Sequence, residues 1–174
     1  MLPLLVAIVV AVADQATKQV VRWSFALGES RPVVEGLFSL TYVRNTGAAW
    51  GLLSGQNLGL MILSVVILLV LIRFRSAFLS GTWEHRLALG LLIGGVVGNL
   101  MDRIRLGWVT DFLDVHWRGH QFPMFNIADS AICVGVFLYI LSSLWDTGHP
   151  LHESRRKGAP PAAGGPADQP DASA

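Results

Sequence analysis

The stretch Leu87-Ala-Leu-Gly-Leu-Leu-Ile-Gly-Gly-Val-Val-Gly-Asn-Leu-Met101, closed by Asp102-Arg103, decides the fold. Its interior carries no charge, while Glu84, His85 and Arg86 precede it and Asp102 and Arg103 follow. A bilayer selects such a run, because hydrocarbon offers no partner to an ionised side chain. A span needs about 20 residues, so the segment is expected to recruit Trp83 to Arg86 as its first turn. Gly90, Gly94 and Gly98 recur at every fourth position with Gly95 beside them, which predicts a smooth face for close helix packing.

Three further apolar segments flank this one. Leu2 to Trp23 is interrupted by Asp14 and Lys18, Leu58 to Ile72 ends at Arg73 and Arg75, and Phe125 to Trp145 carries Asn126 and Asp129 near its start. The second is short and is expected to draw on Ser54 to Asn57. Met1-Leu-Pro-Leu-Leu-Val has no basic residue before Lys18, and Asp14 lies inside its apolar run, so it reads as a retained helix rather than a cleaved signal. The chain as a whole, 174 residues with mean hydropathy +0.51, is only 14% charged against about 25% in soluble domains. The fold class that follows is an all-α membrane protein of four transmembrane helices.

Two intervening stretches read differently. Pro32 to Arg44 is rich in β-branched and aromatic residues around a Glu35-Gly36 turn, and Trp108 to Trp117 is similar in kind. They predict a small sheet on one membrane surface. Residues 1–148 form one domain in this reading. Residues 149–174 change in composition, pass Arg155-Arg156-Lys157 and become rich in Pro, Ala and Gly, which predicts a disordered tail.

Several chemistries are excluded. A net charge of +1 with no basic patch among aromatics argues against nucleic acid. The single Cys133 excludes an intramolecular disulfide and a CxxC metal site. His116 and His120 flank Trp117-Arg118-Gly119, which reads as a loop, and no HExxH is present, so neither a metal nor another cofactor is expected. Ser64 and Ser130 have no histidine at a recognisable spacing, and no GxSxG occurs.

Four crossings bring the end of the first helix, the end of the third and the start of the fourth to one side. Asp14, Lys18, Asn45, Asn99, Asp102, Arg103, Asp111, Asn126 and Asp129 all belong to that face or to the helix halves leading to it. The arginines and lysine in the loops fall about equally on both sides, so charge does not orient the bundle. Asp14 and Lys18 stand four apart and are placed to pair, and Asn99, Asp102 and Arg103 share a face. Asp102 and Arg103 also offer a local ion pair. Asp111 and Asp129 have no basic residue within four positions, whereas Asp114 has Arg118 nearby. Two carboxylates without cations suit a pair that shares a proton, one acting as acid and the other as base on a water. An ion or proton carrier, or a non-catalytic assembly factor built on the glycine face, would use the same residues differently.

At these residues the chain resembles the bacterial lipoprotein signal peptidases, also called signal peptidase II. Asp14-Gln-Ala-Thr-Lys18 is similar to the family's DxxxK, and Asn45-Thr-Gly47-Ala-Ala-Trp50 to NxGAA. Gly94 to Arg103 is similar to GGxxGNxxDR, Val109-Thr-Asp-Phe112 to VxDF, and Phe125-Asn-Ile-Ala-Asp129 to FNxAD. The resemblance implies an inner-membrane aspartic endopeptidase with both termini cytoplasmic and the sheet and active face extracytoplasmic. Its implied substrate is a diacylglyceryl-modified prolipoprotein, cut just before the lipidated cysteine. Asp111 and Asp129 take the positions of the catalytic pair. Asn45, Gly47, Asn99, Arg103 and Asn126 fall in the motifs around the substrate, and Asp14, Lys18 and Asp102 at supporting positions. The expected partners are the lipid-modified precursor and membrane lipids, with the chain acting as a monomer.

Overall fold

The computed structural model describes residues 1–48, 52–117 and 120–148. The expected disorder of the tail and the closeness of Arg118 to Asp114 lie outside those residues.

Helix α1 spans Leu2–Ser24 and opens with a proline in its first turn, where the missing N–H costs nothing. A hairpin follows, β1 (Ser30–Val34) and β2 (Phe38–Asn45), turning through Gly36 at φ +72°. The turn is where Glu35-Gly36 predicts it. Helix α2 (Asn57–Arg73) and the short α3 (Arg75–Leu79) lead to α4 (Trp83–Leu106), which starts at the four flanking residues expected of it. Strand β3 (Val109–Trp117) and the two-residue β4 (His120–Gln121) precede α5 (Ile127–Gly148).

Among the described residues three helices, α1, α4 and α5, are long and apolar enough to cross a membrane. Helix α2 has 17 residues and does not absorb Ser54 to Gln56 as expected. The reason is local: Leu53 and Gly55 adopt positive φ values of 57° and 80°, which a helix cannot contain. His116 and His120 also depart from the loop expectation. They lie on β3 and β4, where Trp117 pairs with His120.

Helix α4 is the centre of the bundle, packed on α1 by one face and α5 by another. The glycines explain how closely. A methyl group at Gly94 would stand 2.7 Å from the carbonyl oxygen of Ala7, and one at Gly98 would stand 2.6 Å from the Asp14 carboxylate. Gly95 opens the other face, where a methyl would meet the carbonyl of Ala128. Small residues thus bring both neighbouring backbones against α4.

The sheet runs in the order β1-β2-β3-β4, all antiparallel. A bulge between Leu40 and Val43 shifts β2 against β3, so that Val43 faces Asp111. Side chains alternate across β3. Thr110 and Phe112 turn towards α1, where Arg22 donates to the Thr110 hydroxyl and Phe112 packs with Val21 and Tyr42. Asp111 points the other way. On its free edge β3 is held by Phe125, whose carbonyl accepts the N–H groups of Phe112 and Leu113. That connection delivers the start of α5 to Asp111.

Candidate functional site

Asp14, Lys18, Asn45, Gly47, Asn99, Asp102, Arg103, Asp111, Asn126 and Asp129, drawn from both ends of the sequence, join in one continuous network of hydrogen bonds and ion pairs.

Asp111 accepts from two amides: Nδ2 of Asn45 at 2.8 Å and Nδ2 of Asn126 at 2.7 Å. Asp129 accepts from Nδ2 of Asn99 at 2.7 Å and from the backbone N–H of Asn126 at 3.2 Å. The last bond is half of a reciprocal pair, because the Asp129 N–H donates to Oδ1 of Asn126 at 3.0 Å. This is the geometry of a capping box, with Asn126 capping α5 and Asp129 in its first turn. The helix start therefore fixes the carboxylate.

The three asparagines have no freedom to turn their amides over. Each oxygen already accepts a bond: from the Gly47 N–H at Asn45, from the Asp129 N–H at Asn126, and from the Lys18 ammonium at Asn99. Each NH2 must then face an aspartate. Arg103 reaches the other way, donating to the Gly47 carbonyl at 3.1 Å and so tying the loop after β2 to α4.

Beneath this layer lies an ionic one. Lys18 is fully buried and contacts Asp14 at 2.8 Å and Asp102 at 3.5 Å. Asp14 also accepts the N–H of Ala128, and Asp102 accepts the N–H of Thr110. The two carboxylates therefore anchor the start of α5 and of β3. The local Asp102–Arg103 pair expected from the sequence does not form. Neighbouring helix positions point about 100° apart, and Asp102 turns to Lys18 and Arg22 instead.

Gln15, Arg22 and Thr110 belong to this layer and are absent from the sequence candidates. Gln15 donates to the Gly98 carbonyl and to Asp102. A signal for Arg22 existed, since 14, 18 and 22 form one i, i+4 stripe. Thr110 acts through its backbone, which no residue pattern reveals.

Asn45, Asn99, Arg103, Asp111 and Asp129 form the polar end of a cavity of about 640 Å³. Val109, Val115, Phe122, Met124, Phe125 and Ile132 give it an apolar wall, with Cys133 one helical turn beyond Asp129. Burial above all, and then the charge of Asp129, push the Asp111 carboxyl up to about 7. The Asn45 and Asn126 hydrogen bonds and the Lys18 charge oppose that rise. His116 lies away from this cavity and pairs with Asp114 at 3.1 Å. Among the described residues, no group of three His, Cys, Asp or Glu is placed to hold a metal ion.

Residues 6–145 match the family model described as signal peptidase (SPase) II. The lipoprotein signal peptidase of Geobacter metallireducens is 47% identical over 145 residues, which is 82% of this chain and 90% of that one. That of Bacillus subtilis is 38% identical over 148 residues, covering 85% and 96%. A bacterial membrane enzyme solved by the in meso method superposes with a TM-score of 0.73 at 35% identity, covering 91% of this chain and 93% of its own. A second such structure gives 0.70 at 36%, covering 82% and 92%.

Proposed function

The chain belongs to the signal peptidase II family of membrane proteases, and from that premise we propose that it removes the signal peptide from diacylglyceryl-modified prolipoproteins by aspartic catalysis. The observation that carries the reading is the pair of carboxylates, Asp111 and Asp129, in one cavity and bridged by Asn126.

Asp111 is the member assigned the proton, which it still holds about half of the time at pH 7 because burial disfavours its charged form. Asp129, held by donors on both oxygens, takes the proton of a water that attacks the scissile carbonyl. Asp111 donates to the carbonyl oxygen as it becomes tetrahedral, and a proton returned to the amide nitrogen releases the lipidated cysteine end. Arg103 and Asn45 steady the loop beside the scissile bond through Gly47. The apolar wall of the cavity takes the hydrophobic signal segment.

Four spans complete this picture, with α2 crossing as the second despite its short apolar core and with Arg73 and Arg75 at its interfacial end. The sheet and cavity then face outward from the inner membrane, and the tail inward. A monomer suffices, since every group invoked belongs to one chain. A carrier of ions or protons fits less well. Between His85 and Asn99, α4 carries only Arg86 near its start and then aliphatic residues and glycine, so its polar groups do not continue across.

The direct test incubates the purified protein in lipid with a diacylglyceryl-modified precursor peptide. Release of the signal segment is expected; an intact precursor after prolonged incubation with folded protein would refute the assignment. A finer expectation concerns pH. Raising the pH through about 7 strips the Asp111 proton, so kcat/KM should fall on the basic side. Asn45 favours the ionised form of Asp111, so Asn45→Ala should move that basic limb to higher pH. A limb that moves down, or stays, would contradict the acid role of Asp111.

A further inference from the structure

We infer that Lys18 is a positioning residue of the reaction, lending its charge to Asp129 through the amide of Asn99. This inference rests on the reading of Asp129 as a catalytic carboxylate, and goes beyond it by assigning a rate role to a side chain outside the cavity.

Lys18 is completely enclosed and does not line the cavity. A lysine whose work was only to neutralise Asp14 and Asp102 would spend its donors on them. Instead Nζ donates to Oδ1 of Asn99 at 2.9 Å, a bond nearly as short as its 2.8 Å contact with Asp14 and shorter than its 3.5 Å contact with Asp102. The other end of the same amide donates to Asp129 at 2.7 Å. An ammonium has three donors and no acceptor, so it fixes which end of Asn99 faces which neighbour. Of the three asparagines that face the aspartates, Asn45 and Asn126 have their oxygens held by backbone N–H groups. At Asn99 the donor is a full positive charge.

The consequence is polarisation as well as orientation. A charged donor at the oxygen draws density from the amide nitrogen and strengthens its N–H as a donor, by about 10–30% per bond. Asn126 Nδ2 also reaches Asn99 Oδ1, at 3.2 Å, so the amide keeps one neutral partner without Lys18. What it loses is the charge. Asp129 thus feels a cation that never touches it, and its reacting oxygen stays free of a direct ion pair that would blunt its basicity.

The test is a double-mutant cycle on the full chain in lipid, with kcat and KM measured separately on the lipidated precursor. Lys18→Met is expected to lower kcat roughly 10- to 100-fold, as for partners that orient a reacting ligand, and to leave KM within about threefold. In an Asn99→Ala background the same replacement should cost less than about threefold in kcat, because the route to Asp129 is already cut. Lys18→Met leaves two buried carboxylates short of a cation, so Asp14→Asn/Lys18→Met supplies a charge-balanced partner, read against Asp14→Asn alone, should the single variant fail to fold. An unchanged kcat in a folded Lys18 variant would overturn the inference, as would losses that multiply independently of Asn99. A wild-type chain that does not cleave would instead overturn the underlying peptidase reading.

Discussion

Asp129→Asn is expected to leave a folded, inserted protein whose turnover is lower by roughly 10²- to 10⁴-fold, the usual contribution of a positioned acid or base. The replacement is nearly isosteric, but it is not silent in the ground state. Both oxygens of Asp129 accept hydrogen bonds, from Asn99 and from the N–H of Asn126. An amide there sets its own NH2 against one of these donors, at a cost of about 1–3 kcal/mol for the group left unpaired. The capping box should therefore loosen without unravelling α5, whose remaining turns are unaffected. Size-exclusion behaviour and thermal unfolding in detergent report the fold, and release of the signal segment reports the chemistry. Turnover within tenfold of wild type in a well-folded sample would remove Asp129 from the mechanism.

Asp14→Ala should act on stability first. It removes the 2.8 Å partner of a fully buried ammonium and the acceptor of the Ala128 N–H. Breaking a buried pair from one side costs about 3–5 kcal/mol, a large share of the stability of a domain this size. A marked fall in the unfolding midpoint is expected, with loss of activity following loss of fold. Asp14→Asn should recover part of it, because the amide oxygen still accepts from Ala128. An Asp14→Ala protein as stable as wild type would mean that the ionic layer is dispensable to the fold.

How much of this was legible in the sequence differs by layer. The apolar runs and the glycine spacing marked the helices, because bilayer burial writes itself into long uncharged stretches. The start of α4 at Trp83 and the Gly36 turn followed the same local rules. The second helix began later than composition suggested, since backbone angles at Leu53 and Gly55 carry no hydrophobic signature. Asp14 and Lys18 paired as their i, i+4 spacing required. Asp102 did not pair with Arg103, because its partners, Lys18 and Arg22, come from another helix. The convergence of Asp111 and Asp129 was suggested by the lack of nearby cations and by the family motifs. Neither hint contains the arrangement that joins them, which depends on Phe125 completing the edge of β3 and on three amides turned by their oxygen partners.

The two layers together have one more property, visible when their charges are summed. Asp14, Asp102 and a singly protonated Asp111–Asp129 pair contribute three negative charges, and Lys18, Arg22 and Arg103 contribute three positive ones. The total is zero. An energised membrane exerts a force on net charge, about 2.3 kcal/mol for each elementary charge carried through 100 mV. A neutral cluster feels almost none of it. A second deprotonation of the aspartate pair would give this cluster a net charge and couple it to voltage, which ties the protonation state proposed for the chemistry to the one the membrane potential leaves undisturbed.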